Sequence, residues 1–149
     1  MLKAADIMTR NVHSVSADTD VEDLARLFVE TGVSAMPVLD KEGRLHGIVT
    51  ETDLVEQNKP LHIPTVVSIF DWVLYLESEK NFREQVQRMT AKKVGEICTC
   101  DVVSCAPETP VGEIAAMMVD HKAHLIPVVE GERVVGVVAR LDIIRAMGR

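Results

Sequence analysis

The sequence predicts an α/β fold of the mixed α+β kind: two pseudo-symmetric β-α-β-β-α repeats packed sheet to sheet, with a helical insert between them. Three observations predict it. First, IMTRNVHSVSADTDVEDLARLFVETGVSAMPVLD from Ile7 aligns without a gap on ICTCDVVSCAPETPVGEIAAMMVDHKAHLIPVVE from Ile97, at an offset of ninety residues. Second, after one dropped residue GRLHGIVTETDLV pairs with ERVVGVVARLDII, which sets Gly47 over Gly136 and Asp53 over Asp142. Third, 47% apolar residues against 3% aromatics call for an aliphatic interior, filled between strands and helices by Val, Ile, Leu, Met and Ala. A chain of 149 residues suits one folded unit. Neither copy, at about fifty residues, buries enough surface to be comfortable alone.

Taken in order, Val12–Val15 reads as a short strand. Thr19 is expected to cap the next helix, with Glu22 completing a capping box and Val21, Leu24, Ala25 and Phe28 sharing one face. Gly32 supplies the stop. In the second copy Thr109 is expected to cap, Pro110 enters the first helical turn, and Val111, Ile114, Ala115 and Met118 form the matching stripe. A hairpin follows in each: Ala35–Leu39, the turn DKEGR and Leu45–Thr50; then Leu125–Val129, the turn EGER and Val134–Ala139. Closing helices are expected over Glu51–Gln57 and Arg140–Met147. The organisation is therefore a first repeat at 1–57, an insert at 58–91 and a second repeat at 92–149. Pro60 and Pro64 punctuate the insert, after which VVSIFDWVLYLESEK and NFREQVQRM read as helical, the latter with Phe82, Val86 and Met89 on one face. It either covers an apolar core or dimer surface, or acts as a lid on a ligand.

Charge and motif content narrow the function. A formal net charge of -7 repels phosphate backbones, so nucleic acid is not an expected partner. The most apolar stretch, Val66 to Leu76, is too short to span a bilayer and is broken by Asp71, and MLKAADIMTR has no apolar signal core. A soluble, cytoplasmic protein with no membrane partner is expected. Cys98, Cys100 and Cys105, an odd number, fit reduced thiols better than a disulfide framework. Their C-x-C-x₄-C spacing lacks paired C-x₂-C knuckles, so no metal site is expected. Ser14, Ser16, His13 and His46 have no Gly-x-Ser-x-Gly elbow and no oriented acid, and no phosphate-cradling glycine loop occurs. No catalytic residue is assigned, and the chain is not expected to be an enzyme.

The stretch GVSAMPVLDKEGRLHGIVTETDLV closely resembles the CBS domain. Its signals, h-S-A-h-P-V and G-h-V-T-x-T-D, recur in order in the second copy, so the chain resembles a tandem CBS pair, or Bateman module. It is similar to the adenine-nucleotide-binding CBS repeats of the AMP-activated protein kinase gamma subunit. The resemblance implies a regulatory, ligand-sensing module that holds AMP, ADP, ATP or S-adenosylmethionine in a cleft between repeats and needs no cofactor. Each cleft would be composite. Thr50, Thr52 and Asp53 would meet His124 in the first, and Arg140 and Asp142 would meet Ser34 and Ala35 in the second.

The implied chemistry is sound. An ionised Asp accepts hydrogen bonds from ribose hydroxyls, and hydroxyls and amides at a helix start donate to anionic oxygens. Three departures bear on it: Leu125 follows His124 where the gamma subunit often has Arg, and Ala139 and Leu141 replace hydroxyl residues beside Asp142. Thr50-x-x-Asp53 is equally a helix-capping pair. The resemblance also implies a homodimer formed through the repeat helices, signalling by conformational or oligomeric change to a separate effector protein. The rival expectation is a ligand-free dimerisation and partner-docking module, favoured by those departures and by the acidic charge.

Overall fold

A computed structural model describes residues 1–57 and 93–148, so the expected helical insert lies outside the described residues. The elements are α1 (Ala4–Ile7), α2 (Val21–Thr31), β1 (Ala35–Leu39), β2 (Leu45–Thr50), α3 (Glu51–Gln57), a 3-10 turn (Val94–Glu96), α4 (Val111–Asp120), β3 (Leu125–Glu130), β4 (Arg133–Ala139) and α5 (Arg140–Met147). Two small antiparallel sheets result, β1-β2 and β3-β4. Both hairpins and both closing helices stand where the repeat places them, with β3 and β4 each one residue longer than expected. The pairing shifts register at Val38/Leu39 in one sheet and at Val128/Val129 in the other, equivalent positions of the alignment.

Two expectations are corrected. The strand at Val12–Val15 shrinks to one residue: Val15 makes an isolated parallel bridge to Val38, as Cys105 does to Val128. The reason is burial, since Asn11, His13 and Ser14 are exposed and only Val15 faces the core. Thr19 and Thr109 do not cap the helices after them. The Thr19 hydroxyl accepts the Ser16 N–H at 3.0 Å and the Thr109 hydroxyl accepts the Ala106 N–H at 3.0 Å, so both close the turn that precedes the helix. The cap positions fall to Asp20 and Pro110, neither with a side-chain cap bond, so Glu22 completes no capping box and Pro110 stands just before the first turn. Gly32 ends α2 as expected, with φ 72 in the left-handed region.

The cores are built by exchange. Val15, Leu24, Phe28, Met36, Val38 and Val49 of the first repeat are closed by Val94 and Ile97, from the start of the second. Reciprocally, Cys105, Ile114, Met118, Ile126, Val128 and Val138 enclose Ala4, with Ile7 and Met8 packed against them. Each buried residue thus has a buried or packed counterpart at its aligned position, Ile7 and Ile97 included. The exchange is held by backbone pairing of Thr9 with Val137 and of Ile48 with Thr99. Arg44 and Arg133, aligned with each other, also bridge each other, so the pseudo-two-fold axis passes between the two hairpin tips. There the Leu45 N–H donates to Glu132 O at 3.0 Å and the Val134 N–H to Gly43 O at 3.1 Å.

Candidate functional site

Two clefts open between the repeats, one on each side of that axis. The first, about 340 Å³, is lined by Ile48 and Thr50 of β2, by Thr99, Asp101 and Val103, and by the run His121 to Leu125 before and into β3. The second, about 560 Å³, is lined by Val137 and Ala139 of β4, by Thr9, Asn11 and His13, and by Gly32 to Ala35. The two linings correspond position by position: Thr9 to Thr99, Asn11 to Asp101, Ser34 to His124, Ala139 to Thr50. Volumes of this size suit small-molecule ligands.

The residues singled out in the sequence distribute as follows. Ser34, Ala35, Arg140 and Asp142 all line the second cleft, together with His124, which stands on the wall shared with the first. Thr50 and His124 line the first cleft, which Ala35 also touches. Asp53 joins Thr50 through a reciprocal pair of bonds. Its carboxylate accepts the Thr50 N–H at 2.8 Å and the Thr50 hydroxyl lies 3.2 Å from the same oxygen, while the Asp53 N–H meets the Thr50 hydroxyl at 3.3 Å. Asp142 does likewise, accepting the Ala139 N–H at 2.8 Å, with Arg145 3.8 Å from its other oxygen. Both carboxylates therefore cap the helix that follows, which fixes their orientation beside the clefts. Neither Thr52 nor Asp53 is among the residues lining these two clefts; Asp53 reaches the first through Thr50.

Several lining residues carry no motif in the sequence, and Lys122 is the most informative of them. Lys122 lies in the first cleft with φ 53, a left-handed conformation unusual for a side chain with Cβ. It occupies the aligned position of Gly32, whose φ is 72. The alignment carried this signal, because a lysine under a helix-ending glycine is forced into the same turn.

The cysteines are better placed than their spacing suggests. Burial, and after it the neighbouring Cys100 thiol, pushes Cys98 up from 9.0 to about 11, and burial followed by the charge of Glu113 does the same for Cys105. Strand pairing of Ile48 with Thr99 brings Cys98 and Cys100 to His46, and the ligand atoms of the three lie within 4.8 Å of one another. Among the described residues no helix is long and apolar enough to cross a membrane.

The sequence profile of the CBS domain matches residues 4–59 and 94–149. The chain belongs to the CBS-domain family. As a tandem CBS pair it is 31% identical over 150 residues to the uncharacterized protein MJ1426 of Methanocaldococcus jannaschii, covering 95% of this chain and 89% of that one. It is 28% identical to the chloroplastic CBS domain-containing protein CBSX2 of Arabidopsis thaliana, spanning 61% of its length, and it spans still smaller shares of several other curated relatives. In fold it is similar to CBSX2 in complex with AMP, with a TM-score of 0.81 at 24% identity, covering 99% of this chain and 97% of that chain. The CBS pair of MJ0100 in complex with 5′-methylthioadenosine and S-adenosyl-L-methionine aligns with a TM-score of 0.71 at 23% identity, covering 99% and 97%.

Proposed function

We propose that this CBS pair is a non-catalytic regulatory module that binds an adenosyl ligand, AMP, ADP, ATP or S-adenosylmethionine, in its inter-repeat clefts. The observation that carries it is the pair of matched clefts, the second lined by the helix-start carboxylate of Asp142 and the first by Thr50, which holds the equivalent carboxylate of Asp53. In the first, Thr50, to which the Asp53 carboxylate is hydrogen-bonded, faces the ribose while Lys122 and His124 face the phosphates. In the second, Asp142 and Ser34 take the sugar and Arg140 the anionic end. The complexes of the fold relatives with AMP and with S-adenosyl-L-methionine support an adenosyl ligand. A ligand that touches both repeats favours the arrangement it fits best, and that difference in affinity is the signal a separate effector reads.

The test is a melting series with those four ligands. At about 100 times its dissociation constant a bound ligand adds about 2.7 kcal/mol, which for this size raises Tm by roughly 5 to 10 °C. Asp53→Ala and Asp142→Ala assign the cleft. The one that matters weakens binding by about 1.5 to 3 kcal/mol, the contribution of a charged hydrogen bond. No shift with any of the four sinks the proposal.

A second reading is favoured by one observation. Val29 of α2 and Val119 of α4, aligned with each other, are 85% and 76% exposed, and Val55 and Ile144 of α3 and α5 repeat the pattern at 71% and 60%. Such a symmetric apolar surface suits homodimerisation through the repeat helices, with the clefts empty and a partner protein docked instead. Sedimentation and melting of Val29→Glu, outside both clefts, distinguish the two: a ligand sensor keeps its ligand-induced Tm shift as a monomer, and a docking module shows none at any stage.

A further inference from the structure

We propose that His46, Cys98 and Cys100 form a metal site for Zn²⁺, bound through one imidazole nitrogen and two thiolates with a fourth position open to solvent. Three observations carry it. The ligand atoms of the three side chains lie within 4.8 Å of one another. A tetrahedral centre with Zn–S near 2.3 Å holds its sulfurs about 3.8 Å apart, so closing the site requires movements of about 1 Å. His46 and Cys100 are exposed and Cys98 half-buried, so a metal can reach all three and side chains can rotate onto it.

The second observation is the ground beneath the site. Gly47 leaves room for the thiols: a Cβ there would stand 3.4 Å from Cys98 Sγ and 2.6 Å from the Thr99 carbonyl oxygen. The backbone between the ligands is already fixed, since the Ile48 N–H donates to Thr99 O at 2.8 Å and the Thr99 N–H to Ile48 O at 2.9 Å. The chelate is therefore built on paired strands rather than on loose loops, which lowers the ordering cost of binding.

The third is an internal control that the duplicated fold provides. At the aligned positions the other half carries Val135, Met8 and Arg10, and there Thr9 pairs with Val137 in the same bridge. The fold thus forms without any of the three ligands, so packing alone does not call for two cysteines and a histidine on this side only. Zn²⁺ is the ion whose borderline softness and tetrahedral preference match one nitrogen and two sulfurs. Binding releases the thiol protons to solvent and leaves a neutral Zn(thiolate)₂ unit.

The experiment uses the full chain, reduced and stripped of metal, titrated with Zn²⁺ against a chromophoric chelator and separately with Co²⁺. About one ion per chain is expected, with a cobalt-to-thiolate charge-transfer band and a Tm that rises on adding Zn²⁺. Cys100→Ser and His46→Ala alter exposed side chains, so folding is not at issue. Each is expected to weaken Zn²⁺ by about tenfold or more, equivalent to about 1.4 kcal/mol. Cys105→Ala, remote in the second core, is expected to bind as the parent does. Affinity unchanged in both Cys100→Ser and His46→Ala, or Co²⁺ uptake without the thiolate band, overturns the site. A melting series in which adenosyl ligands fail but Zn²⁺ binds would refute only the cleft proposal.

Discussion

At the scale of single residues, environment decides what a side chain offers. Cys98 and Cys105 carry thiols raised from 9.0 to about 11, which at neutral pH leaves about a hundredfold less thiolate than an ordinary cysteine. Alkylation by iodoacetamide should therefore proceed first at the exposed Cys100, read by mass spectrometry of digested protein. The same shifts have a stability sign. A thiol that ionises near 9 when unfolded and near 11 when folded favours the native state below pH 9, and that contribution is lost as pH rises through 9 to 11. Lys122 is the other informative residue. Lys122→Gly relieves a left-handed strain of about 1 to 2 kcal/mol but adds unfolded-chain entropy of about 0.5 to 1 kcal/mol, so a small rise in Tm is expected. Nucleotide affinity in the first cleft should fall at the same time, because the ammonium is gone. A large loss of Tm would show that Lys122 is held by packing instead.

At the scale of elements, the crossing of β2 with the 98–100 segment and of β4 with Thr9 governs how the repeats lock. Gly47 and Gly136 sit under these crossings, but a Cβ meets different neighbours. At Gly47 it strikes backbone, the Thr99 carbonyl oxygen at 2.6 Å; at Gly136 the closest atoms belong to the flexible Met8 side chain, with Thr9 O at 3.1 Å. Backbone cannot step aside without losing the Ile48–Thr99 bonds. Gly47→Ala is therefore expected to cost about 2 to 3 kcal/mol in urea denaturation and Gly136→Ala distinctly less. Equal losses would mean that Met8 is as rigidly packed as the main chain. The hairpins, their β-branched residues and their glycine and aspartate turns were legible in the sequence because strand spacing and turn chemistry are local. The caps were not, because the Thr19 and Thr109 hydroxyls had a competing use in the turn before the helix, and only coordinates show which amide they accept.

At the scale of the molecule, the exchange of N-terminal segments ties the two cores into one unit. Ala4 and Val94 are wholly buried, each in the core formed by the other repeat. A fragment of residues 1–57 would lack Val94 and Ile97, and a fragment of 93–149 would lack Ala4, so neither is expected to fold alone. Mixed together they should regain structure, visible as dispersed amide resonances in NMR that neither gives separately. A dispersed, monomeric spectrum from residues 1–57 by themselves would show that the first core closes without its borrowed wall. For the intact chain a single cooperative melting transition is expected, since losing either core exposes a segment of the other.

The sequence by itself determined the duplication, the hairpins, the closing helices and the aliphatic face of each helix, because all of these rest on periodicity and local turn chemistry within one copy. The resemblance to the CBS domain grouped Ser34, Arg140 and Asp142, and all three line the second cleft. Tertiary structure alone decided which segment closes which core, that Lys122 enters the first cleft, and that His46 on one strand meets Cys98 and Cys100 fifty residues further along the chain. Spacing along a chain cannot report a contact made by strand pairing across an intervening segment. The distance between those side chains is set by the Ile48–Thr99 hydrogen bonds, which no local pattern encodes.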